Sequence, residues 1–498
     1  MRPELIIGLV GPIGCNMDTV QAQIGDALKR VNYTTKPISI SEGIATLWEE
    51  QHGKRPELAS LEDKISTGND IRRMYNNNGI LAVYAMVKIR RLRQEIHRER
   101  GTAYPEDVDQ AGMPTDGTAF IIRQFKRPEE IQLMRTTYKS AFIQISINQD
   151  RRSRLDHLID QLKKQPQPDK DAIKDKAEAL IRKDESEDDN DFGQRLTKIF
   201  HLADVFIDGN TETSTAERFI QAIFGRNNIA PTKDELGSYL AKSASLRSVD
   251  LSRQVGAAIL SAAGDLITIG CNEVPKPGGG NYWDEDDAKK RDIDKGNEPN
   301  KNQINRIIYD FLGILSEHGA IQGNRTPDQL LSDKQLSHAI HRSMIGEITE
   351  YGRIVHAEMN AISDAARLGR SITGATLYVT TFPCHNCAKH IIASGIARVV
   401  FIEPYPKSRT ELLYGDLVSI HSAGTGKEKT DKVAFVHFSG IAPSRFLSIF
   451  EKSRRCNKDT GVIEDWYENQ CRPRIGDQAM TYTDSEVHAI SENLPLTP

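Results

Sequence analysis

The chain has 498 residues, of which 38% are hydrophobic and 27% charged, and its formal net charge is −4. This length exceeds what one core organises, and it predicts two or three domains of about 150 residues each. No segment approaches the roughly 18 unbroken apolar residues that a membrane-spanning helix needs, so we expect a cytoplasmic protein without membrane contact. The balance of 65 basic and 69 acidic residues favours a small-molecule substrate, because proteins that bind a polynucleotide usually show a basic excess.

From residue 1 to about residue 225 the sequence alternates strand-like and helix-like segments. Leu5–Val10 is an apolar run before a glycine turn, and a helical pattern follows from about Asp18 to Val31. Three further short runs, rich in β-branched or aromatic residues, lie at Ala119–Arg123, Phe142–Ile147 and Val205–Ile207. This alternation predicts an open, mainly parallel α/β sheet.

Two charged segments interrupt this pattern. Lys163–Asp191 is strongly polar and forms either a solvated helix or a mobile lid. Lys88–Arg100 is basic with helical spacing, and it provides either a solvated helix face or a contact for phosphate or RNA. Asn227–Asp234 combines a proline with polar residues, so we predict that it links two domains.

After the linker the pattern restarts with a helix and a pair of strands at Gln254–Leu260 and Leu266–Cys271. The glycine-rich, charged segment Lys276–Asn302 is predicted to be an insertion that either covers a pocket or mediates assembly. A helix, a strand, a second helix and a second strand then complete a βαβ arrangement, at Ile354–Leu368, Ala375–Thr380, Cys384–Ser394 and Arg398–Ile402. The polar tail after Tyr482 is expected to be poorly ordered.

The most informative residues are His356-Ala-Glu358 and Pro383-Cys384-His-Asn-Cys387. Two thiolates and one imidazole suit zinc, and three protein ligands leave a fourth position open, as in catalytic zinc sites. Cys384 and Cys387 stand three residues apart, so at the start of a helix their sulfur atoms lie on one face. The positive end of that helix favours the thiolate forms. We therefore predict one catalytic zinc ion per chain, held by His356, Cys384 and Cys387.

Glu358 follows the predicted histidine ligand by two residues, which differ by about 200° of rotation on an ideal helix. Both side chains can reach one metal only if His356 sits at the mouth of the helix. Glu358 could then transfer protons from water to a substrate ring nitrogen and a leaving amine, as the H-x-E and P-C-x-x-C signature of zinc nucleobase deaminases indicates. A structural zinc site and a redox-active cysteine pair are the alternatives.

Residues 246–411 resemble the cytidine and deoxycytidylate deaminase superfamily. The matching segments are Ser252–Ile259, Ile269–Glu273, His356–Ile362, Leu377–Cys387 and Phe401–Ser408. The resemblance implies that Asn272 contacts the sugar or base of the substrate, and Arg253 in the first segment is a further candidate contact. Lys407 and Ser408 are either contacts for substrate phosphates or an exposed pair without a role.

The amino-terminal part is similar to P-loop kinases of the nucleotide-kinase type. Gly8–Thr19 follows a predicted strand and opens a helix, which is the context of a phosphate loop. The candidate nucleotide-binding residues of this loop are Gly11, Gly14, Asn16 and Thr19. Met17 stands where the lysine of the motif belongs, so we expect no phosphoryl transfer. Arg151, Arg152 and Arg154 resemble the arginines of a kinase lid.

Together the two resemblances predict a P-loop kinase-like parallel sheet with helices on both faces, followed by a cytidine deaminase-like α/β/α sandwich. The predicted domains are a regulatory domain at 1–228, a deaminase domain at 235–475 and a tail at 476–498. This layout resembles bacterial anti-phage dCTP deaminases. It implies deamination of dCTP and dCMP, which drains cytosine nucleotides during phage replication, and control through an allosteric nucleotide or a small inhibitory RNA. The superfamily also implies a homo-oligomer, commonly a hexamer.

Several other functions remain open from the sequence. A housekeeping deaminase that supplies dUMP would not need the amino-terminal domain, and a nucleotide- or RNA-sensing regulatory protein would not need the intact zinc motif. A polynucleotide editor would need a basic, aromatic-lined channel. Cys456 and Cys471, with Cys271, are either ordinary reduced cysteines or the ligands of a second, structural zinc site.

Overall fold

The computed structural model describes the chain at residues 2–101, 109–163, 173–185, 187, 190–210, 214–286, 289–405, 407–421, 431–452, 455–463, 473–474 and 482–494. Within these ranges the chain forms a mixed α/β structure with two six-stranded sheets. No helix described there combines the length and the apolar character needed to cross a membrane.

The strands are β1 (Leu5–Val10), β2 (Thr34–Ser39), β3 (Thr118–Arg123), β4 (Phe142–Asn148), β5 (Val205–Asp208), β6 (Gly256–Leu260), β7 (Leu266–Cys271), β8 (Thr376–Thr381), β9 (Arg398–Glu403), β10 (Val418–His421), β11 (Val433–His437) and β12 (Gly440–Ile441). The helices are α1 (Met17–Arg30), α2 (Ile40–His52), α3 (Leu61–Met74), α4 (Ile80–Glu99), α5 (Pro128–Tyr138), α6 (Arg151–Lys163), α7 (Ile173–Glu185), α8 (Leu196–Ile199), α9 (Ser214–Ile223), α10 (Lys233–Ser245), α11 (Asp292–Lys295), α12 (Pro299–Glu317), α13 (Pro327–Leu331), α14 (Lys334–His341), α15 (Ala357–Arg367), α16 (His385–Ala393), α17 (Thr410–Tyr414), α18 (Phe446–Phe450) and α19 (Tyr482–Asn493).

The first sheet has the strand order β12-β5-β4-β1-β3-β2. Strand β1 pairs in parallel with both β3 and β4, and only β12 runs antiparallel to its neighbour β5. All six residues of β1 are buried, as expected for an apolar central strand of a parallel sheet that is covered on both faces. The predicted parallel sheet is therefore confirmed. Strand β2 escaped prediction because it is an edge strand, with Pro37 and exposed polar residues in place of an apolar run.

The second sheet has the strand order β10-β11-β9-β8-β6-β7. Strand β6 runs antiparallel to β7 and β8, whereas β10 and β11 are parallel. Gly270 on β7 lies against the first turn of α15, and a Cβ atom there would stand 2.3 Å from the carbonyl oxygen of Ala357. Because glycine lacks that atom, the first turn of α15 can approach the sheet closely.

Two compact units, each made of separate chain segments, make up the molecule. The first comprises Met1–Tyr239, Val400–Pro406 and Val418–Pro498, and the second comprises Leu240–Val399 and Lys407–Leu417. The predicted domains were consecutive, so their bounds differ from these units in the carboxyl-terminal part of the chain. The reason lies in pairing across the sequence, since β12 forms a ladder with β5 in which Gly440 faces Phe206.

The predicted poorly ordered tail is wrong for residues 482–494. Helix α19 packs against α4 and α5, and Tyr482, Glu486 and Ala489 are its buried residues. Arg93 of α4 is fully buried between Glu4 and Glu486 and donates hydrogen bonds to both carboxylates. One cation of the basic segment Lys88–Arg100 therefore faces the core. The sequence of this helix is polar because two of its three buried side chains, Tyr482 and Glu486, form hydrogen bonds with other buried polar groups.

Two further segments differ from their predictions. The insertion was predicted to end at Asn302, but α12 begins within it, and α13 and α14 follow. Ile304, Ile308 and Leu312 of α12 pack against Leu330 of α13 in a separate small core. The described part of Lys163–Asp191 includes α7, whose apolar residues pack against α6, so this helix is not solvated on all sides. Residues 164–172 lie outside the described chain.

Candidate active site

His356 lies at the start of α15, where it is the N-cap residue. Its backbone is extended (φ −62°, ψ 153°), and its carbonyl oxygen accepts the first hydrogen bond of the helix from the amide of Asn360. Val355 exchanges two backbone hydrogen bonds with Glu273, which fix the chain on the entry side. The prediction that His356 stands at the helix mouth is confirmed.

Cys384 occupies the equivalent position at the start of α16. It is the N-cap residue with extended backbone (φ −68°, ψ 163°), and Cys387 follows in the first turn, buried. Two helix N-termini thus carry the three predicted ligands. Because the N-terminal end of a helix is positively polarised, this position favours the thiolate form of Cys384.

The three ligand atoms converge on one point. The Nδ1 atom of His356 lies 3.4 Å from Sγ of Cys384 and 3.3 Å from Sγ of Cys387. Tetrahedral zinc with usual Zn–N and Zn–S bond lengths would separate nitrogen and sulfur by roughly 3.6 Å. The donor set and its spacing therefore fit zinc, and these residues form the one cluster of three metal-ligating groups in the described chain.

Glu358 is buried beside this cluster, with 4% of its surface exposed. Its carboxyl group interacts with the thiol of Cys387 and with the imidazole of His356. Since Glu358 lies in the first turn of α15, the turn at His356 brings both side chains to the same side of the helix start. The carboxyl group is therefore next to the metal position without being needed as a ligand.

Close packing and burial shift the pKa values of the titratable groups in this cluster. The hydrogen bond from Cys387 lowers the pKa of Cys384 to about 4, and burial raises the pKa of Glu358 to about 7. The hydrogen bond with Cys384 raises the pKa of His356 to about 9. A bound metal ion would take the place of the protons that these groups share.

Asn272 holds the loop before β6. Its Oδ1 atom accepts from the amide of Val255, and its Nδ2 atom donates to a carboxylate oxygen of Asp250 and to the carbonyl oxygen of Arg253, each at 2.7 Å. Asn272 is buried, whereas the side chain of Arg253 is exposed. The amide of Asn272 thus positions the segment that contains Arg253, and substrate contact by either residue stays a prediction.

Ser408 lies behind the cysteine pair. Its hydroxyl group donates to the carbonyl oxygen of Pro383 at 2.8 Å, and Thr410 donates to the same oxygen at 3.2 Å. These bonds hold the residue that precedes Cys384. Thr410 was missed although it follows Ser408 by two residues, because a hydroxyl group alone carries no sequence signal.

Lys407 and Arg409 flank Ser408 and share one acidic partner. Nζ of Lys407 lies 3.5 Å from Glu347, and a guanidinium nitrogen of Arg409 lies 3.4 Å from the other oxygen of the same carboxylate. The sequence offered a signal for Arg409, since it is a second cation two residues after the candidate phosphate contact Lys407. Glu347 had no sequence signal, since it lies about 60 residues away in the segment after α14.

The candidate residues of the amino-terminal loop lie in the first unit. Gly14 has φ +82°, and Asn16 is the N-cap of α1. Gly11 has no room for a side chain, because a Cβ atom would stand 2.7 Å from Sγ of Cys15 and 2.9 Å from Cε of Met17. Thr19 is exposed at the cavity beside the loop.

No second metal cluster includes Cys271 or Cys456 among the residues that the structure describes. Cys271 is buried, with Nδ2 of Asn281 at 3.6 Å from its sulfur atom, and Cys456 is exposed. Cys471 lies outside the described residues. The second zinc site is therefore unsupported for the two described cysteines.

Comparison with known proteins identifies the region that contains this site. Residues 231–403 match the family model of the cytidine and deoxycytidylate deaminase zinc-binding region. The deoxycytidylate deaminase of Enterobacteria phage T2 is 45% identical over 109 residues, which are 20% of this chain and 55% of that protein. The probable deoxycytidylate deaminase of Drosophila melanogaster is 49% identical over 103 residues, 20% of this chain and 50% of that protein.

The chain spans about half the length of the curated relatives it matches. Among solved structures, the dCMP deaminase of the cyanophage S-TIM5 in its apo form aligns over 42% of this chain and the whole of that chain, with 16% sequence identity and a TM-score of 0.23.

Proposed function

Because residues 231–403 form a zinc-binding domain of the cytidine and deoxycytidylate deaminase superfamily, we propose that the chain deaminates deoxycytidine nucleotides. The substrates are dCTP and dCMP, and the products are the uracil nucleotide and ammonia. The observation that carries the proposal is the convergence of His356, Cys384 and Cys387 beside the buried carboxyl group of Glu358.

Zinc held by the three ligands would activate water as a nucleophile near neutral pH. The carboxylate of Glu358 takes a proton from the attacking water and delivers it to the ring nitrogen N3 of cytosine. A second transfer through the same carboxyl group protonates the amine at C4, which leaves as ammonia. Addition of water and loss of ammonia balance the conversion of cytosine to uracil.

The phosphate end of the substrate is proposed to lie at Lys407 and Arg409. Both cations share Glu347 at 3.4–3.5 Å, which is long for an ion pair, and the segment between them is tied to the residue before Cys384. A substrate phosphate, with more charge than one carboxylate, would compete with Glu347 for these cations. Arg409→Ala should therefore raise the KM for dCTP and dCMP and leave that for deoxycytidine unchanged.

The biological role we propose is depletion of cytosine nucleotides as a defence against phage, in the cytoplasm and in a homo-oligomer, with control through a nucleotide or a small RNA. Support comes from the resemblance of the two-part layout to anti-phage dCTP deaminases. A housekeeping enzyme would act on dCMP alone and would be active without infection.

Product analysis tests the proposal. The zinc-loaded protein is incubated with dCTP, dCMP, CTP and deoxycytidine, and the uracil products are separated by chromatography. Uracil products from dCTP and dCMP are expected. If none of the four compounds is converted, the proposed activity is wrong, and conversion of dCMP alone would favour the housekeeping function.

A further inference from the structure

Three backbone amides of the glycine-rich loop between β1 and α1 already have partners within the chain. The amide of Ile13 donates to a carboxylate oxygen of Asp184 at 2.7 Å, and that of Asn16 donates to Oε1 of Gln149 at 2.8 Å. The amide of Cys15 bonds to the carbonyl oxygen of Pro12. Amides in such a loop before a helix are suited to hold an anion, and here a carboxylate of the same chain is the anion.

Asp184 is a buried carboxylate that is paired with a cation. Only 1% of its surface is exposed, and Nζ of Lys126 lies 2.6 Å from its second oxygen. The same Nζ donates to the carbonyl oxygen of Gly11 at 2.9 Å, so Lys126 joins the loop to the carboxylate. One amide and one ammonium group thus bind the two oxygens of Asp184, as they would bind two oxygens of a phosphate group.

A cavity of about 610 Å³ lies beside the loop, within the size range of small-molecule sites. Arg72 and Gln194 line its wall, with 3% and 6% of their surfaces exposed. Nε of Arg72 and Oε1 of Gln194 have no hydrogen-bond partner in the described chain. Because buried polar atoms are nearly always bonded, these two atoms require a polar partner from outside the described chain, either water or a polar ligand, at the cavity wall.

We propose that the loop and this cavity form an oxyanion site whose resident anion is Asp184, so that a phosphate ester binds only when this carboxylate is displaced. Helix α7 carries Asp184 and therefore controls access to the loop. The site binds a ligand without transferring phosphate, since Met17 stands in place of the lysine. This inference concerns the first unit and is independent of the proposed deaminase activity.

The rival explanation is that Asp184 is a structural tie between α7 and the loop and that no external anion binds there. The two explanations differ once the carboxylate is removed. If Asp184 competes with an external anion, its removal leaves a loop that binds an anion. If Asp184 only ties α7 to the loop, its removal weakens the packing of α7 and creates no anion binding.

The experiment measures the binding of inorganic tripolyphosphate by calorimetry and locates it by hydrogen exchange of the amides of residues 11–20. The variants are Asp184→Ala and Asp184→Asn, and the second keeps the shape and the acceptor while it removes the charge. Asp175→Asn is the matched control, because Asp175 is an exposed acid on the same helix. Circular dichroism verifies that each variant is folded.

We expect wild-type protein and Asp175→Asn to show slow exchange at Ile13 and no protection of the loop by tripolyphosphate. Asp184→Asn should bind at least tenfold more tightly and show protection over residues 11–20. The proposal is overturned if wild-type protein binds at the loop as tightly as Asp184→Asn. It is equally overturned if folded Asp184→Asn gains no binding, or if the amide of Ile13 exchanges rapidly in wild-type protein.

Discussion

At the scale of single residues, the proposed function assigns proton transfer to Glu358 and metal binding to other side chains. Its carboxyl group lies beside the cluster, but three other side chains supply the ligand atoms. We expect Glu358→Gln to lower kcat by a factor of about 10²–10⁴, the usual contribution of a general acid–base, and to retain one zinc ion per chain by metal analysis. Loss of zinc from this variant would show that the carboxylate is a ligand.

Ser408 is predicted to position the metal site from behind. Removal of its hydroxyl group leaves the carbonyl oxygen of Pro383 with Thr410 alone. We expect Ser408→Ala to weaken zinc affinity by about 10-fold or more, as outer-shell changes do, and to alter the absorption spectrum of the cobalt-substituted protein. Ser408→Thr should restore both properties.

Ser332 supplies the matched control for Ser408, because it is exposed and its hydroxyl group bonds only within its own helix end. Ser332→Ala should leave zinc affinity and the cobalt spectrum unchanged. A wild-type cobalt spectrum in Ser408→Ala would contradict the positioning role.

At the scale of elements, strand β11 ends in a buried histidine. His437 packs edge to face on Phe200 and Phe401, and burial lowers its pKa to about 4. Below its usual pKa of about 6.5 the unfolded chain binds a proton that the folded chain does not, so stability falls as the pH drops from 6.5 to 4. The shift corresponds to a loss of about 3 kcal/mol.

Denaturant unfolding at pH 7 and pH 4 measures this loss. In His437→Phe the difference in unfolding free energy between the two pH values should shrink by up to about 3 kcal/mol. His338→Gln is the control, since that histidine is exposed on α14 and should leave the difference unchanged. Equal pH dependence in wild-type protein and His437→Phe would contradict the assignment.

Helix α19 is held against α4 by a buried ion pair. Glu486 accepts two hydrogen bonds from Arg93, while Tyr482 donates to Glu4, the other partner of that arginine. Removal of one member of a buried ion pair leaves an uncompensated charge and costs about 3–5 kcal/mol. We therefore expect Glu486→Ala to lower the unfolding free energy by that amount in urea denaturation. Glu492→Ala, on an exposed position of the same helix, should change it by less than about 1 kcal/mol.

At the scale of the whole molecule, all three metal ligands belong to the second unit. Removal of zinc with a chelator should therefore increase hydrogen exchange at residues 354–360 and 383–388, because metal binding and local folding are coupled. Amides of β1, β3 and β4 in the first unit should exchange as before. An equal increase in both units would contradict this prediction, and zinc added back should reverse the change.

Prediction from the sequence worked best where the determining contacts are local. Strand β1 lies at its predicted bounds, and helices α15 and α16 begin and end within three residues of theirs, because apolar runs and helix starts depend on neighbouring residues. Prediction failed for α12–α14 and α19, whose stability comes from a small separate core and from buried ion pairs.

The sequence by itself determined which three residues could hold a metal ion and placed His356 at a helix mouth, because ligand chemistry and helix geometry act over a few residues. The tertiary structure decided what the remaining candidates touch. Ser408 bonds to a residue 25 positions away, Ile13 to one 171 positions away and Arg93 to one 393 positions away. Such contacts depend on how the sheets and helices pack, and no local pattern of residues specifies them.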